Sequence, residues 1–222
     1  MKKISQYFGV VLLSLVFVGS VFVAGARAQS QNAKALIAEV KGGGYVIVLR
    51  HGATNHDQKD AWPPDFSDLT KQRRLSDEGR QVATQIGEAV KKLGISFDKV
   101  ITSKLDRGIE TGKLVSGTDG IQTLDLTESS DSVAPAEKER RAMALRAMVG
   151  VVPTPGKDTL LVTHKPNIVD AFGMVLQDID EGEAAVFKPN GAGQGDLVGR
   201  LKAMDWMDMP MGKQPMEKQM QM

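Results

Sequence analysis

Three consecutive glycines, Gly42-Gly43-Gly44, run straight into the apolar segment Tyr45-Val46-Ile47-Val48-Leu49, and this junction constrains the chain more than any other feature. Glycine takes the left-handed conformation that ends a helix, so the triplet closes the element before it. The segment after it shows no polar alternation. A short continuous apolar run bounded by glycine is the pattern of a strand covered on both faces, as in a parallel sheet. The run stops at Arg50-His51-Gly52. In open α/β sheets the carboxyl ends of the strands face the ligand crevice. A guanidinium, an imidazole and a residue without a side chain therefore arrive together where an anion can approach closely.

The remaining pattern supplies strands and helices in alternation. Ala35, Leu36, Ile37 and Val40 predict a helix across Gln31 to Lys41. Ser76 to Leu93 has a serine cap, Asp77 and Glu78 at the positive helix end, and an apolar stripe of Val82, Ile86, Ala89, Val90 and Leu93, with Gly94 to stop it. Lys99 to Ser103 reads as a strand and leads into a helix through Ser116; Ile121 to Leu126 reads as another strand. Pro135 opens a helix to Val149, with Met143, Ala147 and Met148 expected inward. Thr159 to Thr163 is a further strand, followed after Pro166 by a helix over Ile168 to Leu176. Ala184 to Lys188 and Leu197 to Ala203 pair as sheet-edge strands across the loop Pro189 to Gly195. The long polar segment Asn55 to Arg74 is a loop beside the proposed site, with Trp62 and Phe66 expected to pin it to the body. The fold class is α/β: a three-layer α/β/α sandwich on a mostly parallel sheet with an antiparallel edge.

Composition removes several function classes. With 222 residues, 41% hydrophobic and 25% charged, the chain suits one domain with a sizeable core. A net charge of +1 leaves no electrostatic footprint for nucleic acid. Without cysteine there is no disulfide, zinc–thiolate site or cysteine nucleophile. Residues 1–28 read as a signal peptide: Lys2 and Lys3, an apolar run from Phe8 to Val23, then Ala26-Arg27-Ala28 before Gln29. That run, about 16 residues, is short of the ~20 a membrane span needs, so no stable membrane insertion is expected after cleavage, and the mature protein is expected in a periplasm. Residues 29–203 form the domain. Residues 204–222 hold seven of the 11 methionines without any period and read as a disordered tail. Thioethers favour Cu(I), but biased composition accounts for the tail without a metal.

Three strands thus end in Arg50-His51, in Ser103 with Arg107 close behind, and in His164. Parallel strands bring those ends to one sheet edge, as a cationic pocket with no acid evidently built in to neutralise it. Arginine's planar fork matches phosphoryl oxygens, and a neutral imidazole can act as an in-line nucleophile.

The motifs resemble the histidine phosphatase superfamily, the phosphoglycerate-mutase-like group. Arg50-His51-Gly52 is similar to its strand-end signature, and Leu75-Ser76-Asp77-Glu78-Gly79 to its Leu-Ser-x-x-Gly helix start. Ser103 to Thr111 resembles its Ser-x-x-x-Arg-x-x-x-Thr block, and Leu161-Val162-Thr163-His164 the block ending in a second histidine. The resemblance implies a metal-independent phosphoric monoester hydrolase with no cofactor, acting on a small phosphorylated substrate. It implies His51 as nucleophile, and Arg50, Arg107 and His164 as ligands of the phosphoryl group. The acid it calls for falls first on Glu128, then Asp125, then Glu183. Asn55, Arg74 and Lys165 are expected to contact substrate, while His56 reads as a loop residue. Nothing in the pattern specifies an oligomer. A phosphomutase and a phosphate- or phosphosugar-binding module without catalysis are the alternatives.

Overall fold

In the computed structural model, which describes residues 32–208, six strands form one sheet in the order β3-β2-β4-β1-β5-β6. The strands are β1 (Val46–Arg50), β2 (Phe97–Ser103), β3 (Ile121–Thr123), β4 (Asp158–Thr163), β5 (Ala184–Pro189) and β6 (Gly195–Leu201). The first four run parallel, whereas β5 pairs antiparallel with both β1 and β6. The helices are α1 (residues 32–40), α2 (Asp77–Leu93), α3 (Asp106–Ser116), α4 (Pro135–Val149), α5 (Lys165–Phe172) and α6 (Ala203–Met207). The expected α/β/α sandwich with an antiparallel edge is the architecture observed.

The apolar run that opens the chain's core becomes β1, and its period of two serves both layers. Ile47 and Leu49 join the cluster built by Ile37 and Val40 of α1 and Ile86 and Val90 of α2. Val46 and Val48 join the cluster with Leu145 and Val149 of α4 and Ile168 of α5. β4 divides in the same way, with Leu160 and Val162 on the first side and Leu161 on the second. Gly43, at φ 76°, sits where a Cβ would lie 2.5 Å from the Gly156 backbone, so only glycine lets the chain turn from α1 into β1 there.

Several expectations shift. The strand placed over Ile121 to Leu126 ends at Thr123 and continues as a 3-10 turn, Leu124–Leu126, in which the Thr123 hydroxyl accepts from the Asp125 N–H. α5 begins earlier, at Lys165, and gives way at Gly173 to a 3-10 turn reaching Leu176. On α4, Met148 packs against the inner cluster as expected, but Met143 is 59% exposed and Ala147 is exposed too; Ala142, Leu145 and Val149 form the buried inward face, at a spacing the apolar count alone did not single out. β5 is an interior strand, and β6 and β3 are the edges.

The domain also ends later than residue 203. α6 carries Trp206, which is 3% exposed and packs in the α1–α2 cluster. Methionine-rich composition masked this anchor, because one buried indole outweighs its polar neighbours. The expected signal peptide and the tail beyond Asp208 lie outside the described residues. Among the described residues no helix is long and apolar enough to cross a membrane. Trp206→Ala should cost about 3–5 kcal/mol of stability, measured by denaturant unfolding; a loss below about 1 kcal/mol, the range of surface substitutions, would show that α6 does not belong to the core.

Candidate active site

Strand register assembles the site. In the β1–β4 pair Arg50 lies opposite Thr163, and the His51 N–H continues the ladder onto the Thr163 carbonyl at 3.1 Å. In the β2–β4 pair Thr102 lies opposite Val162. The residues just past these positions, His51, His164 and Ser103, therefore stand side by side at the carboxyl edge. The two imidazoles have ring centroids 5.0 Å apart, inclined at 56°.

The protonation of each ring follows from its partners. His51 is 2% exposed, and its Nδ1 lies 2.8 Å from the Gly52 carbonyl oxygen. A carbonyl only accepts, so Nδ1 carries the proton and the lone pair of the neutral ring is on Nε2. His164 Nε2 lies 2.8 Å from the Ser103 hydroxyl, which also accepts from the Leu105 N–H. That hydroxyl has no other acceptor among the described residues, so its proton goes to His164 Nε2. His164 then holds its own proton on Nδ1, a buried atom without a hydrogen-bond partner. Burial holds both rings well below the ordinary imidazole value, and the Arg107 charge adds to this in each case.

Arg107 is fully buried, and Arg50 is 18% exposed in its side chain. The expectation of a pocket without built-in acids is corrected here. Arg50 pairs with Glu181 at 3.5 Å and donates to the Ile179 carbonyl at 2.8 Å. Arg107 pairs with Asp60 at 3.0 Å and with Glu128, whose Oε2 also lies 3.8 Å from His164 Nδ1 and 3.9 Å from Arg73. A buried guanidinium carries a large desolvation cost unless paired. The acids come from distant segments, which is why strand ends alone did not reveal them. Among the described residues, three buried nitrogens of these arginines and histidines still lack partners: Arg50 Nε, Arg107 Nε and His164 Nδ1. Buried polar atoms are almost always satisfied, and a tetrahedral oxyanion bound here would satisfy such donors.

Local packing explains the Leu-Ser-x-x-Gly segment. Ser76 caps α2 by accepting from the Gly79 N–H at 3.0 Å, and its own N–H donates to the Ala53 carbonyl at 3.0 Å. A Cβ on Gly79 would fall 2.0 Å from that carbonyl oxygen. The glycine thus lets α2 lie directly on the chain leaving His51. Thr111 of α3 completes the support, accepting from the Gly52 N–H at 3.0 Å and donating to the Arg107 carbonyl at 2.6 Å.

Of the residues expected to contribute, His51, Arg50, Arg107, His164 and Glu128 are brought together. Asp125 is instead paired with Arg140 at 2.7 Å, and Glu183 is buried against Arg200 at 2.8 Å. Arg74 turns to Asp106 at 3.3 Å, Lys165 is exposed at the start of α5, and Asn55 is exposed, capping the Asp57 N–H. The neighbour Arg73 takes the inner position, donating to Thr54 at 3.2 Å. Trp62 does not pin the loop, being 57% exposed. Polar bonds do so: Gln72, itself buried, accepts from the Asp106 N–H at 2.9 Å and donates to the Asp65 carbonyl at 3.0 Å. Asp60 and Glu181 carry no sequence signal that marks them as site residues; in sequence they are ordinary loop charges. Among the described residues no group of three or more His, Asp or Glu side chains is arranged to hold a metal ion.

Two imidazoles kept neutral in the fold but free to charge in the unfolded chain make stability pH-dependent. The folded pKa values lie below the unfolded value near 6.5, so this stability is complete above about pH 6.5 and is lost as pH falls. Thermal unfolding between about pH 7 and pH 5 should show a fall that His164→Gln makes shallower by up to about 1.4 kcal/mol per pH unit. Parallel profiles for the two proteins would contradict the assignment.

Comparison with known proteins adds to this geometry. Residues 46–130 match the model of the histidine phosphatase superfamily (branch 1). Over 71 residues the chain is 34% identical to the mitochondrial serine/threonine-protein phosphatase Pgam5 of Drosophila grimshawi, covering 32% of this chain and 22% of that protein. Over 69 residues it is 33% identical to a phosphoglycerate mutase of Candida albicans, covering 31% of this chain and 26% of that one. The matches thus span about a quarter of the length of these relatives. The fold is shared with a phosphoserine phosphatase of Entamoeba histolytica in complex with phosphoserine, at a TM-score of 0.53 and 13% identity, covering 72% of this chain and 98% of that one.

Proposed function

We propose, from the match of residues 46–130 to the model of the histidine phosphatase superfamily (branch 1), that this chain is a phosphomonoesterase of that superfamily which works through a phosphohistidine on His51. The observation that carries the reading is the Nδ1–H bond from His51 to the Gly52 carbonyl, which leaves an unprotonated Nε2 beside three unpartnered buried donors. Nε2 attacks phosphorus as the bond to the leaving oxygen breaks. Arg50 Nε–H, Arg107 Nε–H and His164 Nδ1–H offer hydrogen bonds to the oxygens on which charge develops. Glu128 is the acid of this reading: its Oε2 is held by Arg107, while its Oε1 has no partner among the described residues. It gives its proton to the leaving oxygen. In the second half-reaction it takes a proton from the water that attacks phosphorus, so His51, inorganic phosphate and protonated Glu128 result.

Export is inferred from the basic and apolar residues 1–28 with Ala26-Arg27-Ala28. A periplasmic location favours an envelope phosphosugar as substrate and disfavours a glycolytic phosphomutase, whose substrates belong to the cytoplasm.

The mature protein should hydrolyse an aryl phosphate without added metal, and His51→Ala should lower kcat/KM by about 10³-fold or more. Glu128→Gln should slow an alkyl phosphate by about 10²-fold or more but an aryl phosphate far less, because a good leaving group needs little protonation. If wild type and His51→Ala both bind phosphate and hydrolyse nothing across a phosphosugar panel, the protein is a binding module. Equal losses on both ester classes would remove Glu128 from the acid role.

A further inference from the structure

The hydrogen bonds of Arg107 divide in an unexpected way. A guanidinium has five N–H donors. Nη1 donates to Asp60 Oδ1 at 3.0 Å and to the Arg73 carbonyl at 3.1 Å. Nη2 meets Asp60 Oδ2 at 3.0 Å and donates to Glu128 Oε2. Three donors are therefore hydrogen-bonded to the protein, Nη2 is in addition ion-paired with Asp60, and the fifth donor, Nε–H, is buried without a partner. Asp60 is the residue that grips both arms of the fork. Its Oδ1 also accepts the Arg73 backbone N–H at 2.9 Å, which locks the 55–74 loop and Arg107 into one unit.

We propose that Asp60 is a positioning residue: it clamps the two Nη groups of Arg107 so that a phosphoryl group is met by the Nε–H edge alone. A bidentate carboxylate–guanidinium pair fixes the plane of both groups. Without it, the Nη pair would be open to the same forked contact with phosphate. That contact binds a ground-state dianion well but turns it away from the geometry in which His51 Nε2 is in line. Binding gained equally or preferentially in the ground state does not raise turnover. Asp60 therefore sacrifices ground-state affinity for orientation. All three of its contacts are with the protein, so it is distinct in role from Glu128, which keeps an oxygen open. The kinetic side of the proposal rests on the hydrolytic reading above; the binding side does not.

Two substitutions in the full mature chain test it. Asp60→Ala removes the clamp, and Asp60→Asn keeps an acceptor for the Arg73 N–H while withdrawing the second anionic oxygen. Both should bind inorganic phosphate more tightly by calorimetry, with Kd lowered about fivefold as a neighbouring negative charge goes and Arg107 Nη2 loses its Asp60 partner. Both should turn over an aryl phosphate about tenfold or more slowly, since small misplacements of a reacting group are costly. Tighter phosphate with slower turnover is a split that loss of folding does not produce. If Asp60→Ala fails to fold, Asp60→Asn carries the test. Unchanged or weaker phosphate binding by Asp60→Asn would overturn the proposal, as would unchanged kcat in an active enzyme. An inactive wild type would sink the hydrolytic reading and leave the phosphate titration to decide Asp60.

Discussion

The parallel pairing of β1 with β4 is the constraint on which the rest depends. With Arg50 opposite Thr163, His51 and His164 leave the sheet at the same level and their rings come within 5.0 Å between centroids. Both strands are buried on both faces, so their register is strongly specified: a slip of one residue would exchange the two hydrophobic layers at every position. The same packing that stabilises the core thus fixes the spacing of the two imidazoles. The two imidazoles are positioned by the pleat of the sheet itself.

A second constraint is electrostatic. Arg107 is fully buried, and its charge is tolerated because Asp60 and Glu128 reach it from two separate segments. The chain of contacts continues from Glu128 to Arg73, through Thr54 to Glu181, and on to Arg50. Every guanidinium at the edge is therefore oriented by acceptors of the protein, and what remains unpaired is the Nε side of Arg50 and Arg107 together with His164 Nδ1. Such a set is preorganised: its dipoles need not rearrange when charge develops on a bound group.

Much of the fold was legible because β1, β4 and α2 each carry a strong local pattern that agrees with their tertiary setting. The strand-end residues His51, His164 and Arg50 were legible for the same reason, since strand ends are predictable once strands are, and Arg107 followed from its place four residues after the end of β2, on α3. What escaped was long-range polar pairing. Nothing in the 55–74 loop distinguishes Asp60 from Asp57, or Arg73 from Arg74, until the Arg107 guanidinium supplies a partner for one of each pair. Glu181 is hidden in the same way. The choice of Glu128 over Asp125 rests on a related point: Arg140 on α4 claims Asp125, a competition visible only when helix and loop are placed together. Trp206 shows the converse case, in which a compositional label concealed one decisive apolar contact.

The central claim is that His51 accepts a phosphoryl group on Nε2 because Gly52 holds the proton on Nδ1. The direct test is to trap the phosphoenzyme from a phosphate ester by rapid acid-free quench into denaturant and assign the modified nitrogen by phosphorus and nitrogen NMR. The account predicts phosphate bonded to Nε2 of His51. Phosphate on Nδ1, phosphate on His164, or turnover with no phosphoprotein formed would contradict it.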